Sequence, residues 1–396
     1  MENKIFPRKL KTVLLDEIKK PEIVLLTGMR QVGKTTLLMD IFNQIESKNK
    51  IFIDLENPFS QKIFEEENFE NVLLNLKKFD LNLNEKLYIF IDEIQYLPQI
   101  SKVIKYLYDH YKIKFFLTGS SSFYLKNLFP ESLAGRKINY ELFPLTFEEF
   151  LIFKEKKKDF YNEFSKKVEN KNRIEYEIYI KYYEEYLSWG GFPAVVLENN
   201  LERKKMILGD ILKSYFEKDV QTLADFENLN KFRDTILLLA SRVGSKIDIS
   251  KIASEIGVSR NTLYSYLNFL EKTYFIYLIS PFSKNINSEV RGAKKLYFCD
   301  NGILNYLAKI SDGAELENAV FNRLKINGTI NYYQQYKGQE IDFILNKEIA
   351  FEVKTKVMEN EINIFEKRVK KLGLQEFYII SKYFNEQNCV ILAQDL

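Results

Sequence analysis

Residues Gly28 to Thr35 read Gly-Met-Arg-Gln-Val-Gly-Lys-Thr, which fits the pattern G-x-x-x-x-G-K-[ST] completely. Glycines at the first and sixth positions let the backbone curl until successive N–H groups point at one anion. The lysine could reach the β- and γ-phosphates of a nucleotide, and the threonine hydroxyl could bind Mg²⁺. The pattern therefore predicts a phosphate-binding loop. The residues predicted to contact the nucleotide are Gly28, Met29, Arg30, Gln31, Val32, Gly33, Lys34, Thr35 and Thr36.

The segments on either side of this loop have the character that such a loop requires. Ile23–Thr27 is short, apolar and β-branched, which predicts a buried strand. Thr35 and Thr36 open a helical pattern, and the N-terminus of that helix would add partial positive charge near a bound phosphate.

A second motif ends in two adjacent acids. Leu87–Asp92 is an apolar run that predicts a strand, and Glu93 follows it directly. The carboxyl ends of parallel strands meet at one edge of a sheet, so we expect both acids to lie near the phosphate-binding loop. Asp92 would hold Mg²⁺ together with Thr35, and Glu93 would orient or deprotonate the attacking water.

Ser120 and Arg136 are further candidates for catalysis. Ser120 follows the predicted strand 114–118, where a polar side chain could sense the γ-phosphate; a serine-rich turn without a catalytic role is the alternative. Arg136 could neutralise charge in the transition state, either within its own chain or from a neighbouring subunit of a homo-oligomer. An ordinary surface arginine is the alternative for Arg136.

The C-terminal part of the chain carries a separate set of charged residues. Asp342 lies on one predicted strand of a hairpin, while Glu352 and Lys354 lie two residues apart on the other and so share a face. Glu317, in a helical segment upstream, is the fourth member. Such carboxylates could hold Mg²⁺ or Mn²⁺, which would activate water, while the lysine would stabilise hydroxide or phosphate charge. A hairpin with solvated charges is the alternative.

Residues 248–280 have the pattern of two short amphipathic helices around a turn, followed by a strand-like run. Ser259 is placed to cap the second helix, and the whole pattern predicts a helix-turn-helix with an attached wing. Arg260, Asn261 and Tyr264 lie on or near the polar face of the second helix, where they could contact DNA phosphates or the major groove. The alternative is a packing module, because the same helix also carries an apolar face.

Composition excludes several classes of function. The chain has 396 residues, 46% hydrophobic and 29% charged, with a net charge of +3, which is typical of a globular protein of two or three domains. The single histidine, His110, excludes histidine-rich metal sites and most Ser-His-Asp schemes, and Cys299 and Cys389 form no metal-binding pattern. Long apolar runs and a secretory signal are missing, so we expect a cytoplasmic protein without a membrane partner.

The order of the elements predicts the architecture. Residues 1–150 alternate strands and helices, which indicates an α/β domain with a parallel sheet. Residues 151–296 would form a helical linker and a winged-helix domain, and residues 297–396 a last α/β domain.

Several motifs together resemble a known family. The segments GMRQVGKTTLL, FIDEIQ, TGSSS, LAGR, FPLTFEEF, WGGFP, YFCDNGI and GQEIDFIL…FEVK resemble the AAA-type ATPases that have a C-terminal domain of unknown function, a group close to the archaeal ATPases. The resemblance covers nearly the whole chain and implies an AAA-like P-loop fold that hydrolyses ATP with Mg²⁺. The last of these segments resembles the core of PD-(D/E)xK nucleases.

Two functions remain open at this point. The first is a Mg²⁺-dependent ATPase that acts on or with nucleic acid, carrying a nuclease-like C-terminal domain whose cleavage activity is undecided. The second is an ATP-switched signalling or scaffold protein, in which a catalytically silent C-terminal domain binds a protein partner. Convergence of Glu317, Asp342, Glu352 and Lys354 on a metal ion would favour the first.

Overall fold

Two compact units make up the computed structural model, which describes residues 5–119, 133, 135–221, 224, 226, 228–283, 289, 291–334 and 339–396. The first unit comprises Met1–Phe143, Lys213–Ala224 and Lys272–Tyr274, and the second comprises the rest of the chain. The first segment ends at Phe143, and residues 296 and 297 both belong to the second unit. The domain boundaries expected from the sequence stay a prediction.

The strands of the first unit are β1 (Ile23–Thr27), β2 (Lys50–Asp54), β3 (Leu87–Asp92), β4 (Ile113–Gly119) and β5 (Lys137–Glu141). They form one parallel sheet in the order β2-β3-β4-β1-β5. Strands β1 and β4 are buried along their whole length, as expected for strands covered on both faces. This sheet confirms the α/β class predicted for this part of the chain.

Helices cover the sheet of the first unit. They are α1 (Leu10–Asp16), α2 (Lys34–Gln44), α3 (Pro58–Gln61), α4 (Phe69–Lys77) and α5 (Ile100–His110), with 3₁₀ turns at Glu17–Lys19 and Ile94–Tyr96 and a π-helical turn at Tyr215–Val220. Helices α4 and α5 bury their apolar side chains in one cluster with Leu87, Ile89 and Ile91 of β3. Burial of this apolar surface stabilises the sheet that positions the phosphate-binding loop.

The second unit is mainly helical in its first half. Its helices are α6 (Phe147–Phe153), α7 (Phe164–Glu169), α8 (Arg173–Trp189), α9 (Pro193–Leu197), α10 (Leu201–Ser214), α11 (Leu229–Ala240), α12 (Ile249–Ile256), α13 (Arg260–Lys272), α14 (Asn301–Leu307), α15 (Asp312–Leu324) and α16 (Glu359–Leu372). Thr146 and Glu149 form the capping box that the sequence predicts for α6, with the Glu149 N–H donating to the Thr146 hydroxyl at 3.3 Å. In the described part of the chain, every helix is too short or too polar to span a lipid bilayer.

Two further sheets belong to the second unit. Their strands are β6 (Ile276–Ile279), β7 (Lys295–Phe298), β8 (Ile330–Gln334), β9 (Glu340–Leu345), β10 (Ile349–Lys354), β11 (Glu376–Ser381) and β12 (Val390–Leu392). Strands β6 and β7 form an antiparallel pair after α13. The other sheet has the order β12-β11-β10-β9-β8, in which β8, β9 and β10 are antiparallel neighbours and β10, β11 and β12 run parallel. Helix α15 precedes this sheet in the chain, and α16 connects β10 to β11.

Three of the family-like motifs meet inside the second unit. The N–H of Gly191 donates to the Asp300 carboxylate at 2.7 Å, and its carbonyl oxygen accepts from the N–H of Leu145, also at 2.7 Å. A Cβ on Gly302 would lie 2.1 Å from the carbonyl oxygen of Trp189, so no side chain fits there. These contacts join the segments WGGFP, YFCDNGI and FPLTFEEF, and they account for Gly191, Asp300 and Gly302 as structural residues.

Candidate nucleotide-binding site

The phosphate-binding loop leaves β1 and enters α2. Gly28 has a φ of +146° and Gly33 a φ of +96°, in the region that favours glycine. A Cβ on Gly28 would also lie 2.3 Å from the carbonyl oxygen of Leu142. Leu142 in turn donates its N–H to the carbonyl oxygen of Thr27 at 2.8 Å. The backbone that follows β5 therefore approaches the loop so closely that only a glycine fits at position 28.

Lys34 begins α2 and is 4% exposed. Its ammonium donates to the carbonyl oxygens of Gly28 and Met29, each at 3.0 Å. Burial lowers the pKa of Lys34, and the negative charges of Glu93 and Asp219 partly offset that effect. The ammonium lies inside the curl of the loop, where phosphate oxygens could replace the two carbonyl groups.

Thr35 and Asp92 are in direct contact at the carboxyl edge of the sheet. The Thr35 hydroxyl donates to one oxygen of Asp92 at 2.6 Å, and the Thr118 hydroxyl donates to the other. The same Thr118 oxygen accepts the N–H of Glu93 at 3.1 Å. The end of β4 thus contributes Thr118 to the site, whereas the sequence favoured Ser120, which lies outside the described residues. The sequence did contain a signal for Thr118, because its hydroxyl stands directly before Gly119 in the segment TGSSS.

Glu93 adopts an uncommon backbone conformation, with φ +54° and ψ +49°. A left-handed conformation in a residue other than glycine costs free energy and is found frequently at functional sites. The carboxylate of Glu93 accepts a hydrogen bond from the side-chain amide of Gln95. Glu93 is therefore fixed at both its backbone and its side chain.

Arg30 forms a buried ion pair with Asp219. Its Nε lies 2.8 Å from a carboxylate oxygen of Asp219, and the two side chains are 8% and 3% exposed. Burial opposes the charged form of Arg30, but the carboxylates of Asp219 and Glu93 raise its pKa overall. Asp219 lies far along the chain in a π-helical turn, and no local pattern in the sequence indicated its role.

The other loop residues fit the predicted arrangement of strand, loop and helix. Met29 and Val32 of the loop are buried, while Gln31 of the loop and Thr36 of α2 are exposed.

Arg136 lies at the opposite end of the sheet from the phosphate-binding loop. Residue Lys137 pairs with Ile23 at the start of two parallel strands, and the loop follows the end of β1. The Arg136 guanidinium pairs with Asp109 at 2.7 Å and is 34% exposed. The structure therefore does not bring Arg136 to the nucleotide site of its own chain, and a role in a neighbouring subunit stays a prediction.

A second set of charges, here called the acid cluster, consists of the buried Glu352 and Lys295 and the partly buried Glu317 and Asp342. The Tyr297 hydroxyl donates to Glu317 at 2.6 Å, and the Lys295 ammonium lies 3.6 Å from the same carboxylate oxygen. Lys295 also forms an ion pair with Glu340 and is 3% exposed. A lysine from β7, which the sequence did not indicate, is thus buried among the predicted acids.

The other two carboxylates of the acid cluster also have partners. Asp342 accepts the N–H of Val353 at 2.8 Å, and Glu352 pairs with Lys354 at 3.0 Å. Burial, together with the charge of Asp342, raises the pKa of Glu317 and that of Glu352 to about 7. The three acids therefore influence one another's protonation.

The predicted metal at the acid cluster has no support in the structure. Within the described ranges, no group of three or more His, Cys, Asp and Glu side chains is arranged to hold a metal ion. Glu317 and Glu352 instead pair with Lys295 and Lys354. Mn²⁺ at this position is accordingly not supported.

The predicted helix-turn-helix corresponds to α12 and α13. The hydroxyl of Ser259 accepts the N–H of Thr262 at 3.0 Å, which confirms the predicted cap. Arg260, Asn261 and Tyr264 are all exposed on α13. A groove of about 880 Å³ lies beside this helix and is lined by, among others, Tyr264, Lys246, Arg291 and Lys294.

Comparisons with known proteins give family matches for two parts of the chain. Residues 20–151 match an AAA domain, and residues 180–314 match a domain of unknown function, DUF8612. The uncharacterized protein MJ1544 of Methanocaldococcus jannaschii is 30% identical over 98% of this chain and 85% of its own length. An uncharacterized protein of Haemophilus influenzae is 27% identical, covering 92% of this chain and 90% of its own.

Among solved structures, the Walker-type ATPase PABY2304 of Pyrococcus abyssi is similar to this chain. It is 18% identical, with a TM-score of 0.48, over 76% of this chain and 96% of that one.

Proposed function

We propose a function from one premise: the chain belongs to the same family as the uncharacterized protein MJ1544 of Methanocaldococcus jannaschii, and it carries an AAA domain of the P-loop type. The function is binding of ATP with Mg²⁺ and hydrolysis of its γ-phosphate. The observation that carries this proposal is the contact of Thr35 with Asp92 beside the buried ammonium of Lys34. An ammonium, a hydroxyl and a carboxylate at the carboxyl edge of a parallel sheet are the groups that phosphoryl transfer in P-loop proteins uses.

Thr35 and Asp92 are suited to hold Mg²⁺. They present a hydroxyl and a carboxylate oxygen only 2.6 Å apart, and Mg²⁺ prefers oxygen ligands, with phosphate and water completing its shell. When bound, the ion would neutralise charge on the phosphate oxygens. Thr118 would keep the Asp92 carboxylate oriented through its own hydrogen bond.

Lys34 and Glu93 would then have different tasks. Lys34 would exchange the carbonyl oxygens of Gly28 and Met29 for phosphate oxygens, with little movement of the backbone. Glu93 would accept a hydrogen bond or a proton from the attacking water, in a position fixed by Thr118 and Gln95.

Calorimetry and a phosphate-release assay with the full chain test this proposal. We expect saturable binding of ATP in Mg²⁺ and release of inorganic phosphate. A purified, folded chain with no affinity for ATP or GTP in the presence of Mg²⁺ would remove the proposal.

A contact with nucleic acid is the second element of the proposal. It is supported by the exposed Arg260, Asn261 and Tyr264 and by the three basic residues that line the adjacent groove. We expect a salt-sensitive DNA complex that is lost when both Lys251 and Arg260 are changed to glutamate. Binding that is unchanged in a mobility assay would leave α12 and α13 as a packing module.

For the C-terminal domain, the pairing of its acids favours a binding role over cleavage. A PD-(D/E)xK-like core stays part of the proposal, and its support is the order of helix, three antiparallel strands, helix and parallel strand. The ion pairs of Glu317 with Lys295 and of Glu352 with Lys354, however, support a catalytically silent domain that serves as a scaffold for a partner. Incubation of DNA and RNA with ATP in Mg²⁺ or Mn²⁺, followed by a denaturing gel, should show intact strands. Cleavage that is lost in Glu352→Ala would favour the nuclease.

A further inference from the structure

The π-helical turn Tyr215–Val220 brings a carboxylate to the phosphate-binding loop from a distant part of the sequence. Lys213–Ala224 belongs to the first unit, although the chain before and after it belongs to the second. The side chain of Asp219 is 3% exposed, and it pairs with Arg30 of the loop at 2.8 Å. Single π-helical turns within helices occur frequently at functional sites.

Asp219 acts on both cations of the loop. Together with Glu93 it raises the pKa of Arg30, and the same two carboxylates favour the charged form of Lys34 against burial. Arg30 and Lys34 therefore both lie within the electrostatic influence of Glu93 and Asp219. In a P-loop ATPase the γ-phosphate would lie between Lys34, which reaches the β- and γ-phosphates, and Glu93, which reaches the attacking water, and so we place it in the space beside Arg30.

A bound nucleotide would compete with Asp219 for Arg30. A triphosphate brings additional negative charge into the space that Arg30 faces, whereas a diphosphate ends before it. Once Arg30 no longer neutralises it, a buried carboxylate close to that space repels the triphosphate unless the carboxylate moves away.

We propose that Asp219 is a positioning residue that sets the preference of the loop for ATP over ADP by holding Arg30 until a γ-phosphate displaces it. This proposal rests on the proposed ATP-binding function. Without a γ-phosphate, Arg30 stays with Asp219; with one, Arg30 transfers its hydrogen bond to a phosphate oxygen. Asp219 is then released on a segment that is continuous in sequence with α10.

The test is the ratio of affinities for ATP and ADP, measured by calorimetry with Mg²⁺ on the full chain. Asp219→Asn weakens the hold on Arg30, so we expect the ATP-over-ADP ratio to rise about tenfold. Arg30→Gln should lower the ratio below that of the parent, because only Lys34 then distinguishes the γ-phosphate, and Asp219→Glu should retain the parental ratio. In the double variant, Asp219→Asn should have no further effect, because the residue that it acts through is missing.

The matched control is Glu217→Gln, the same change of a carboxylate to an amide in the same π-helical turn. Glu217 lies 3.9 Å from Lys213, and both side chains are more than half exposed. We expect the ATP-over-ADP ratio of this variant to equal that of the parent.

Several outcomes would overturn the proposal. An unchanged ratio in Asp219→Asn with a lowered Tm would make the ion pair merely structural. Should Asp219→Asn fail to fold, a parental ratio in Arg30→Gln would have the same meaning. Equal weakening of the affinities for ATP and for ADP in Asp219→Asn would also exclude the role of Asp219. A parent chain that binds neither nucleotide would remove the ATP-binding function and this proposal together.

Discussion

At the phosphate-binding loop, the ammonium of Lys34 is bound by two backbone carbonyl groups, whereas in the acid cluster the ammonium of Lys295 is bound by the carboxylates of Glu317 and Glu340. Carbonyl groups are neutral dipoles, so a phosphate that replaces them gains a full charge interaction. Carboxylates already neutralise the lysine, so an incoming anion gains little and an incoming cation meets a positive charge. Two buried lysines in one chain thus differ in the partners that surround them: one site is prepared for a ligand and the other is closed by its own residues.

The largest effect that would test this difference is expected from Lys34→Ala. Loss of the ammonium removes charge-assisted hydrogen bonds to two phosphates, so we expect the affinity for ATP to fall at least about a hundredfold. Calorimetry with Mg²⁺ measures the change.

The control for this variant is Lys50→Ala. Lys50 donates to the carbonyl oxygens of Phe42 and Ile45 at 2.8 and 2.6 Å, beyond the other end of α2. Its loss should leave ATP affinity unchanged. An equal loss in both variants would mean that α2 is destabilised and that Lys34 has no special contact with ATP.

Glu93→Gln should separate binding from hydrolysis. The amide has nearly the same shape but cannot take a proton, so we expect turnover to slow about a hundredfold or more. The affinity for ATP should stay within about threefold of the parent, because the phosphate-binding loop is unchanged. Single-turnover phosphate release measures the first quantity and calorimetry the second; parental turnover would show that Glu93 is not the base.

Lys295→Met tests whether the acid cluster is closed by its own cation. The variant leaves Glu317 and Glu340, which are 20% and 34% exposed, without their lysine, so we expect the free energy of unfolding to fall by about 2 kcal/mol. Urea unfolding measures the loss. The control is Lys347→Met. Lys347 lies 2.8 Å from Glu289 and is 49% exposed, so its loss should lower the free energy of unfolding by at most about 1 kcal/mol. Equal small losses would show that Lys295 is not needed to neutralise the acids.

The stability of the second unit should fall as the pH rises toward neutrality. Burial raises the pKa of Glu317 to about 7 from 4.5, so the folded chain binds a proton that the unfolded chain has already released in this range. The contribution is present in full below pH 4.5 and is lost by about pH 7. We expect the Tm difference between pH 5 and pH 8 to be smaller by a few degrees in Glu317→Gln than in the parent. An identical difference in both proteins would exclude Glu317 as a source of the pH dependence.

The smallest effect is expected from Arg136→Ala. Its ion pair with Asp109 is partly exposed and should contribute at most about 1 kcal/mol to the free energy of unfolding. ATP turnover at low protein concentration should not change, because Arg136 lies at the far edge of the sheet. A loss of turnover that depends on protein concentration would instead show that Arg136 acts in a neighbouring subunit.

The first unit was predictable from the sequence where burial is two-sided. Strands β1 and β3 have the bounds predicted for them, and β2 and β4, expected at 51–55 and 114–118, differ by one residue at each end, because each is an apolar run between polar turns. Strand β5 was missed because it lies at the sheet edge, where polar and apolar residues alternate and no residue is fully buried.

At the candidate site, contacts between residues of recognisable motifs were predictable, whereas contacts made by residues outside any motif were not. The contact between Thr35 and Asp92 follows from two motifs at the ends of parallel strands. Asp219 and Lys295 reach their clusters only through the folded chain, and neither stands in a pattern that distinguishes it from a surface residue. The roles of Asp219 and Lys295 depend on their burial. Neither residue lies in a periodic apolar pattern or a spaced motif from which burial could be predicted.

The close approach of Gly28 to Leu142 also concerns the order of events during synthesis. The backbone of Leu142, which lies against Gly28, is 114 residues downstream in the chain (142 − 28 = 114). It follows β5, the last strand of the first sheet. A ribosome-bound chain cannot shape this loop before Leu142 has left the exit tunnel, because the contact closes a long stretch of polypeptide. Nascent chains that end before this residue should therefore fail to retain ATP, and the capacity to bind nucleotide should arise late in translation.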